Sequence, residues 1–144
     1  MDSDDTTPSA AQISAALLLI RIASALAFVY HGSAILFGAF GGPGPEAFAN
    51  FMHAPAIVGY LVGLAQFAGG VALLFGVLTR IGALCIIIVM LGAIFLVHIS
   101  KGFDINNGGY EYTLTQLLIA LALLITGPGA YSVGAALPGV IRKL

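Results

Sequence analysis

The sequence predicts an all-α integral membrane protein, a four-helix up-and-down bundle with little mass outside the bilayer. Hydrophobic residues make up 60% of the 144 residues and charged residues only 8%, whereas a soluble domain carries about 25% charged residues. The mean hydropathy is +1.07. Four apolar stretches reach or approach the roughly 20 residues needed to cross a bilayer. This composition excludes an ordinary soluble enzyme, a disordered tail and a nucleic-acid-binding protein, which needs a basic surface.

The spans are separated by segments with turn chemistry. Proline lacks a backbone donor and glycine loses much conformational entropy in a helix, so segments rich in both end helices. Such segments lie at 41–45, 106–109 and 127–129, and Thr79-Arg80 forms a tight turn. They predict a short acidic tail (1–12), a membrane domain (13–129) and an interfacial tail (130–144), with spans at about 13–37, 55–77, 81–99 and 111–126.

Positive charges predict the orientation, because lysine and arginine concentrate in cytoplasmic loops. With four spans, both termini and the Arg80 turn share one side, which also holds Arg142 and Lys143. The opposite side holds Lys101 alone. We therefore expect both termini to be cytoplasmic.

Small residues predict where neighbouring helices approach each other, because membrane helices pack without a hydrophobic driving force. In the second span, Gly59, Gly63 and Gly70 share a stripe with Gln66, so Gln66 is expected to face protein rather than lipid. In the fourth span, the stripe expected to face the interior comprises Glu111, Thr115, Leu118 and Ala122.

Five polar side chains form the candidate site. Ionisable residues inside a membrane are costly and usually face the bundle interior. Arg21 and Gln66 are predicted near mid-bilayer, while His31, His98 and Glu111 lie toward the outer face. This line of groups predicts ligand binding or proton relay between the helices. The residues alone assign no catalytic residue.

Each of these residues also has a structural interpretation, which remains open here. Arg21 could bridge spans through backbone carbonyls, and Gln66 could make a packing hydrogen bond. His31 and His98 could place their polar tips among lipid headgroups. Glu111 could complement the positive end of its helix dipole.

Haem and metal sites are disfavoured by the spacing. His31 and His98 could in principle ligate a haem from two parallel spans, but both lie at helix ends. A metal site built from these histidines and Glu111 would have suitable ligand types, yet no local spacing motif supports it. The single cysteine, Cys85, falls within an apolar run and is interpreted as a small hydrophobic residue.

In combination and order, a set of short motifs resembles the DoxX family of small bacterial membrane proteins. The resemblance covers nearly the full chain. The matching pieces are Leu19-Ile20-Arg21, Tyr30-His31-Gly32, 37–42, 63–70, 76–80, His98, 108–112 and 126–132. Family members often carry a lysine shortly after the His-Gly pair and a glutamate at the position of Gln66, so this chain has less charge near Arg21.

The resemblance implies a four-span bundle in the bacterial inner membrane with links to redox chemistry. Members resemble subunits of quinone-linked oxidoreductases, so the expected ligand is a quinone-like or other amphipathic molecule bound between the helices. The expected partners are the lipid bilayer and either a membrane-associated oxidoreductase or further copies of the chain, with no nucleic acid. The alternatives are a non-catalytic anchor or assembly subunit and, less favoured, an oligomeric channel or transporter.

Overall fold

The structure is a computed structural model that describes residues 7–139 and residue 144. It is 79% helix, with no strand in the described part, and so confirms the predicted class, an all-helical membrane bundle. The main helices are α1 (Ala10–Phe37), α2 (Gly44–Phe51), α3 (Ala56–Phe75), α4 (Thr79–Ala93) and α5 (Glu111–Thr126). The sequence predictions that involve the three early aspartates, Arg142 and Lys143 lie outside the described residues.

The number of full spans differs from the four expected. Three helical segments within the described residues are long and apolar enough to cross a membrane: Ala10–Phe37, Ala56–Phe75 and Thr79–Lys101. The third is α4 continued by a π-helical segment (Ile94–His98) and a 3₁₀ turn (Ile99–Lys101). With 16 residues, α5 is about 24 Å long, shorter than the hydrocarbon core of about 30 Å.

Local chemistry sets both ends of α1. At its start, Ser9 and Gln12 form a capping box: the Gln12 amide donates to Ser9 Oγ (3.2 Å) and the Ser9 amide donates to Gln12 Oε1 (2.7 Å). These two bonds satisfy backbone donors that no helical carbonyl can reach. At its end, Gly38 adopts φ 68°, a left-handed conformation that glycine adopts without a Cβ penalty.

Helix α2 was not expected. The segment at 41–45, rich in glycine and proline, was predicted to end a helix, and it overlaps the start of α2. The proline Pro45 lies in its first turn, where the missing amide proton would have no helical partner in any case. The helix ends at Phe51 with Met52 as its C-cap residue, and His53 follows at φ 52°. This eight-residue helix packs against α3 and forms part of the cavity described below.

Close backbone contacts join α1 to α3 in antiparallel order. A Cβ added to Gly63 would lie 3.0 Å from the Leu36 nitrogen, and one added to Gly70 would lie 2.8 Å from the Val29 nitrogen. Gly59 likewise lies against the backbone of Pro45 in α2. The predicted glycine stripe is therefore confirmed as a surface of close backbone approach.

Helix α4 packs between α3 and α5, and the apolar core lies among the helices. Its fully buried apolar side chains include Phe28, Leu73, Ile86 and Leu123. After α5, the chain turns back onto the ends of α1 and α3: the Gly134 amide donates to the Gly76 carbonyl at 3.2 Å. The segment predicted to lie along the membrane interface thus begins by packing on the bundle.

Candidate functional site

A cavity of about 600 Å³ lies between the helices, and all five contribute to its lining. Its walls are predominantly apolar, for example Phe28, Val62 and Met90. The polar or ionisable side chains that line it are His31, Gln66, His98, Lys101, Tyr112 and Thr113. Its volume falls within the range of about 300–1,000 Å³ typical of small-molecule sites, which are mostly apolar with a few convergent polar groups.

Gln66 supplies an amide to this cavity. Its side chain is only 6% exposed, which confirms that it faces protein. Among the described residues, its amide has no hydrogen-bond partner. In the described part of the chain, the fully enclosed side-chain atom without a partner is Thr79 Oγ1. The Gln66 amide instead keeps accessible surface within the cavity, so it is free to bind a ligand. Gln66 lies ten residues into α3, about 15 Å from its start and near the middle of the helix.

His98 lines the cavity and has a defined tautomer. Its Nδ1 lies 2.6 Å from the Gly108 carbonyl oxygen. Because a carbonyl oxygen only accepts, Nδ1 carries the proton and donates it. In the neutral ring, Nε2 is then an acceptor, and it has no partner within residues 7–139. The π-helical segment that ends at His98 is a feature found frequently at functional sites.

His31 lines the same cavity but is exposed. Its ring lies 5.4 Å from the Tyr30 ring and 6.3 Å from the Tyr112 ring, measured between centroids. The structure therefore brings together three of the five predicted site residues, namely His31, Gln66 and His98.

Arg21 lies away from this cavity, although it is only 1% exposed. It donates through Nε to the Leu73 carbonyl (3.0 Å), through one terminal nitrogen to Pro128 (2.5 Å) and through the other to Tyr131 (3.1 Å). Leu73 lies seven residues beyond Gln66 along α3, about 10 Å along the helix axis. Every guanidinium nitrogen thus binds a backbone carbonyl, and the arrangement joins α1, α3 and the segment after α5.

Glu111 also does not line the cavity. Its Oε2 accepts from the Ile105 amide at 3.1 Å, within the loop that precedes α5. The stripe predicted to continue from it into the interior is wrong, because Thr115, Leu118 and Ala122 are exposed. The buried face of α5 instead carries Thr113, Gln116, Leu117, Ala120 and Leu123.

The sequence analysis missed a second buried glutamine, Gln116. It is 8% exposed, and its Oε1 accepts from Ser24 Oγ at 2.9 Å, which links α5 to α1. The analysis also did not place Lys101, Tyr112 or Thr113 at the site. These residues could have been predicted from their polarity within apolar segments, because polar side chains in membrane helices form hydrogen bonds to neighbouring helices.

The cavity opens at the surface of the bundle. Phe51, Ile88 and Leu96 line it yet remain 67%, 63% and 75% exposed. Because apolar side chains on the outside of a membrane bundle face hydrocarbon, the opening is accessible to lipid-soluble molecules. Within residues 7–139, no group of three His, Cys, Asp or Glu side chains is placed to hold a metal ion.

Comparisons with known proteins agree on one family. The family model described as DoxX matches residues 16–99. The Escherichia coli (strain K12) protein named "Inner membrane protein YqjF" is 35% identical over 117 residues, which cover 81% of this chain and 88% of that protein. The Bacillus subtilis (strain 168) protein named "Putative oxidoreductase CatD" is 29% identical over 110 residues, 76% of this chain and 78% of that protein. No solved structure was found to match the chain.

Proposed function

This chain belongs to the DoxX family of membrane proteins, and on that premise we propose that it is a redox-associated subunit that binds a quinone-like or other amphipathic small molecule between its helices. One observation carries the proposal: the buried, unpartnered amide of Gln66 in a cavity of about 600 Å³. The name of the Bacillus subtilis relative supports the redox association.

The two inner polar groups suit the two redox states of a quinone. The Gln66 amide nitrogen can donate a hydrogen bond to a quinone carbonyl oxygen. The Nε2 of neutral His98 can accept one from a hydroxyl of the reduced quinol. The apolar walls would hold the ring, and the opening beside Leu96 would let the alkyl tail extend into the bilayer.

We further propose that the chain lies in a bacterial inner membrane with both termini in the cytoplasm. The name of the Escherichia coli relative supports the location. Arg80 lies in the first turn of α4, and Lys101 lies at the opposite end of the helical span Thr79–Lys101. Reporter fusions after residues 78 and 105 test the orientation. A cytoplasmic reporter that is active after residue 105, with an extracytoplasmic reporter that is active after residue 78, would show that the termini lie outside the cytoplasm.

Substitution of Gln66 by leucine is expected to weaken quinone binding about tenfold, since it removes one hydrogen bond in a water-poor site. The variant should fold as well as the native protein, because the lost amide has no protein partner. Dissociation constants for a decyl-chain benzoquinone, measured by calorimetry in detergent, provide the test.

Gln116→Leu is the matched control. Gln116 is equally buried but bonds to Ser24 and does not line the cavity. This change should leave quinone affinity unchanged and lower the free energy of unfolding by about 1 kcal/mol, because Ser24 loses its partner. Equal affinities in both variants, or no binding by the native protein, would overturn the proposed ligand.

An assembly subunit is the second candidate function, and a specific observation favours it. Arg21 and the Ser24–Gln116 pair form hydrogen bonds that join helices, so much of the polar chemistry is structural. In this case the protein would stabilise a membrane oxidoreductase without binding its substrate. Purification from native membranes as an isolated chain, with neither a partner nor a stable oligomer, would argue against it.

A further inference from the structure

A second cavity adjoins the first. It has a volume of about 430 Å³, and we call it the vestibule; it is lined by Phe51, Met52, His53, Leu96, Val97 and Lys101. All of these except His53 also line the larger cavity. The two spaces are therefore contiguous, and the vestibule lies at the end of the cavity where α2 meets the end of α4.

Among the residues that the structure describes, the polar side chains in the vestibule lining are Lys101 and His53, and none of these lining residues carries a carboxylate. Lys101 has no ion pair or hydrogen bond among the described residues. Asp104 accepts from the Asn106 amide and Glu111 accepts from the Ile105 amide, and neither carboxylate lines the vestibule. The vestibule thus presents donors without an internal anion to neutralise them.

Both donors are exposed side chains that line the vestibule. The lysine stem lies over Gly108, where an added Cβ would meet Lys101 Cδ at 3.2 Å and Nζ at 3.5 Å. His53 occupies a left-handed position after α2, at φ 52°. Glycine is the usual residue at such a position, and histidine is among the other residues that adopt it most often.

The vestibule also lies at the depth where anionic groups occur in a bilayer. In the loop that follows Lys101, Phe103 and Tyr110 stack edge to face with ring centroids 5.6 Å apart, and aromatic side chains of this kind mark the interface between hydrocarbon and headgroups. Lys101 ends the 3₁₀ turn that follows His98. A molecule in the vestibule can therefore have a charged group at the interface and an apolar body inside the bundle.

We propose that the vestibule binds the carboxylate or phosphate group of a single-chain amphiphile whose alkyl chain occupies the larger cavity. Lys101 supplies the positive charge and His53 supplies a ring N–H donor. The inference rests on the proposed function in one respect, that the larger cavity takes an amphiphile. It adds the sign of the ligand's charge and the residues that select for it.

Displacement of a fluorescent fatty acid from the detergent-solubilised protein tests this inference. The competitors are dodecanoate, lauroyl lysophosphatidylglycerol and uncharged dodecanol, which share an alkyl chain but differ in headgroup. Both anions should bind about fivefold more tightly than the alcohol, as expected for one partly solvated charge pair, and this preference should shrink as salt is raised. The relative affinity of the two anions distinguishes a free fatty acid from a lipid headgroup as the source.

Lys101→Gln should abolish the preference for anions and leave dodecanol affinity unchanged. Arg80→Gln is the matched control, because Arg80 is an exposed cation at the opposite end of α4, and it should retain the full preference. Equal affinity of native protein for all three competitors, or a preference that survives in Lys101→Gln, overturns the inference. Binding of dodecanoate without binding of the benzoquinone would refute the proposed quinone and leave the anion site standing, whereas no binding of any amphiphile refutes both.

Discussion

Replacement of Arg21 by methionine is expected to lower the free energy of unfolding by about 3–5 kcal/mol, the largest effect of any single substitution considered. Methionine keeps most of the apolar stem but removes all donors. The part-buried carbonyls of Pro128 and Tyr131 then lose their Arg21 bonds, and a hydrogen bond to a charged group contributes about 1.5–3 kcal/mol. The Leu73 carbonyl also accepts from the Gly76 amide, so it retains one partner.

Thermal and denaturant unfolding in detergent measure this effect, with Arg80→Met as the control. Arg80 is exposed, and it donates one 3.2 Å bond to the Ile125 carbonyl, so its replacement should change stability by no more than about 0.5 kcal/mol. Equal stability of the two variants would show that the three carbonyl bonds of Arg21 do not hold the bundle together.

The same variant separates the two interpretations of Arg21 that the sequence left open. In the structure, Arg21 is occupied by backbone carbonyls and does not line the cavity. Quinone affinity per folded molecule should therefore be unchanged in Arg21→Met. If Arg21→Met folds normally but binds quinone weakly, Arg21 contributes to ligand binding.

The bundle was predictable because hydropathy and helix breaks act locally. Span four was expected at 111–126, and α5 occupies Glu111–Thr126; its glycine-rich flanks determine both ends. The partners of Arg21 were not predictable, because they are backbone carbonyls of Leu73, Pro128 and Tyr131. Every residue has a carbonyl, so such an acceptor leaves no signal in the sequence.

The orientation of α5 about its axis was mispredicted for a related reason. Apolar residues occur all around this helix, so its pattern contains little contrast between one face and another. The prediction took Glu111 as the marker of the interior and did not consider Gln116. Glu111 lies in the first turn and bonds to the loop, whereas Gln116 lies deeper and bonds to Ser24.

The candidate site was predictable in part. Polarity inside apolar spans predicted Gln66 and His98 as candidate site residues, and the structure places both in the lining of one cavity. The contribution of α2 was not foreseen, because Pro45 was interpreted only as a helix breaker although proline is well tolerated in a first turn. Without α2, neither the cavity wall at Phe51 nor the vestibule at His53 can be placed.

Gly32→Ala is expected to lower the free energy of unfolding by about 3 kcal/mol or more, because α1 and α3 must move apart to admit one methyl group. An added Cβ would lie 2.7 Å from the Phe67 Cα and 2.9 Å from the Gln66 carbonyl carbon. These are backbone atoms, so no side-chain rotation relieves the overlap. Overpacking alone costs about 1–3 kcal/mol, and separating the helices also loosens the contacts at Gly63 and Gly70.

Gly92→Ala is the control that isolates this effect. Gly92 lies inside α4 and lines the cavity, and an added Cβ there meets nothing within 4 Å. Alanine at this position should stabilise the helix by about 0.5–1 kcal/mol. Because the Gly32 overlap falls on the backbone of Gln66 itself, Gly32→Ala should also weaken quinone binding in the fraction that folds. Native stability and native affinity in Gly32→Ala would mean that α1 and α3 do not approach each other closely at Gly32. They would also mean that the position of the Gln66 amide does not depend on this contact.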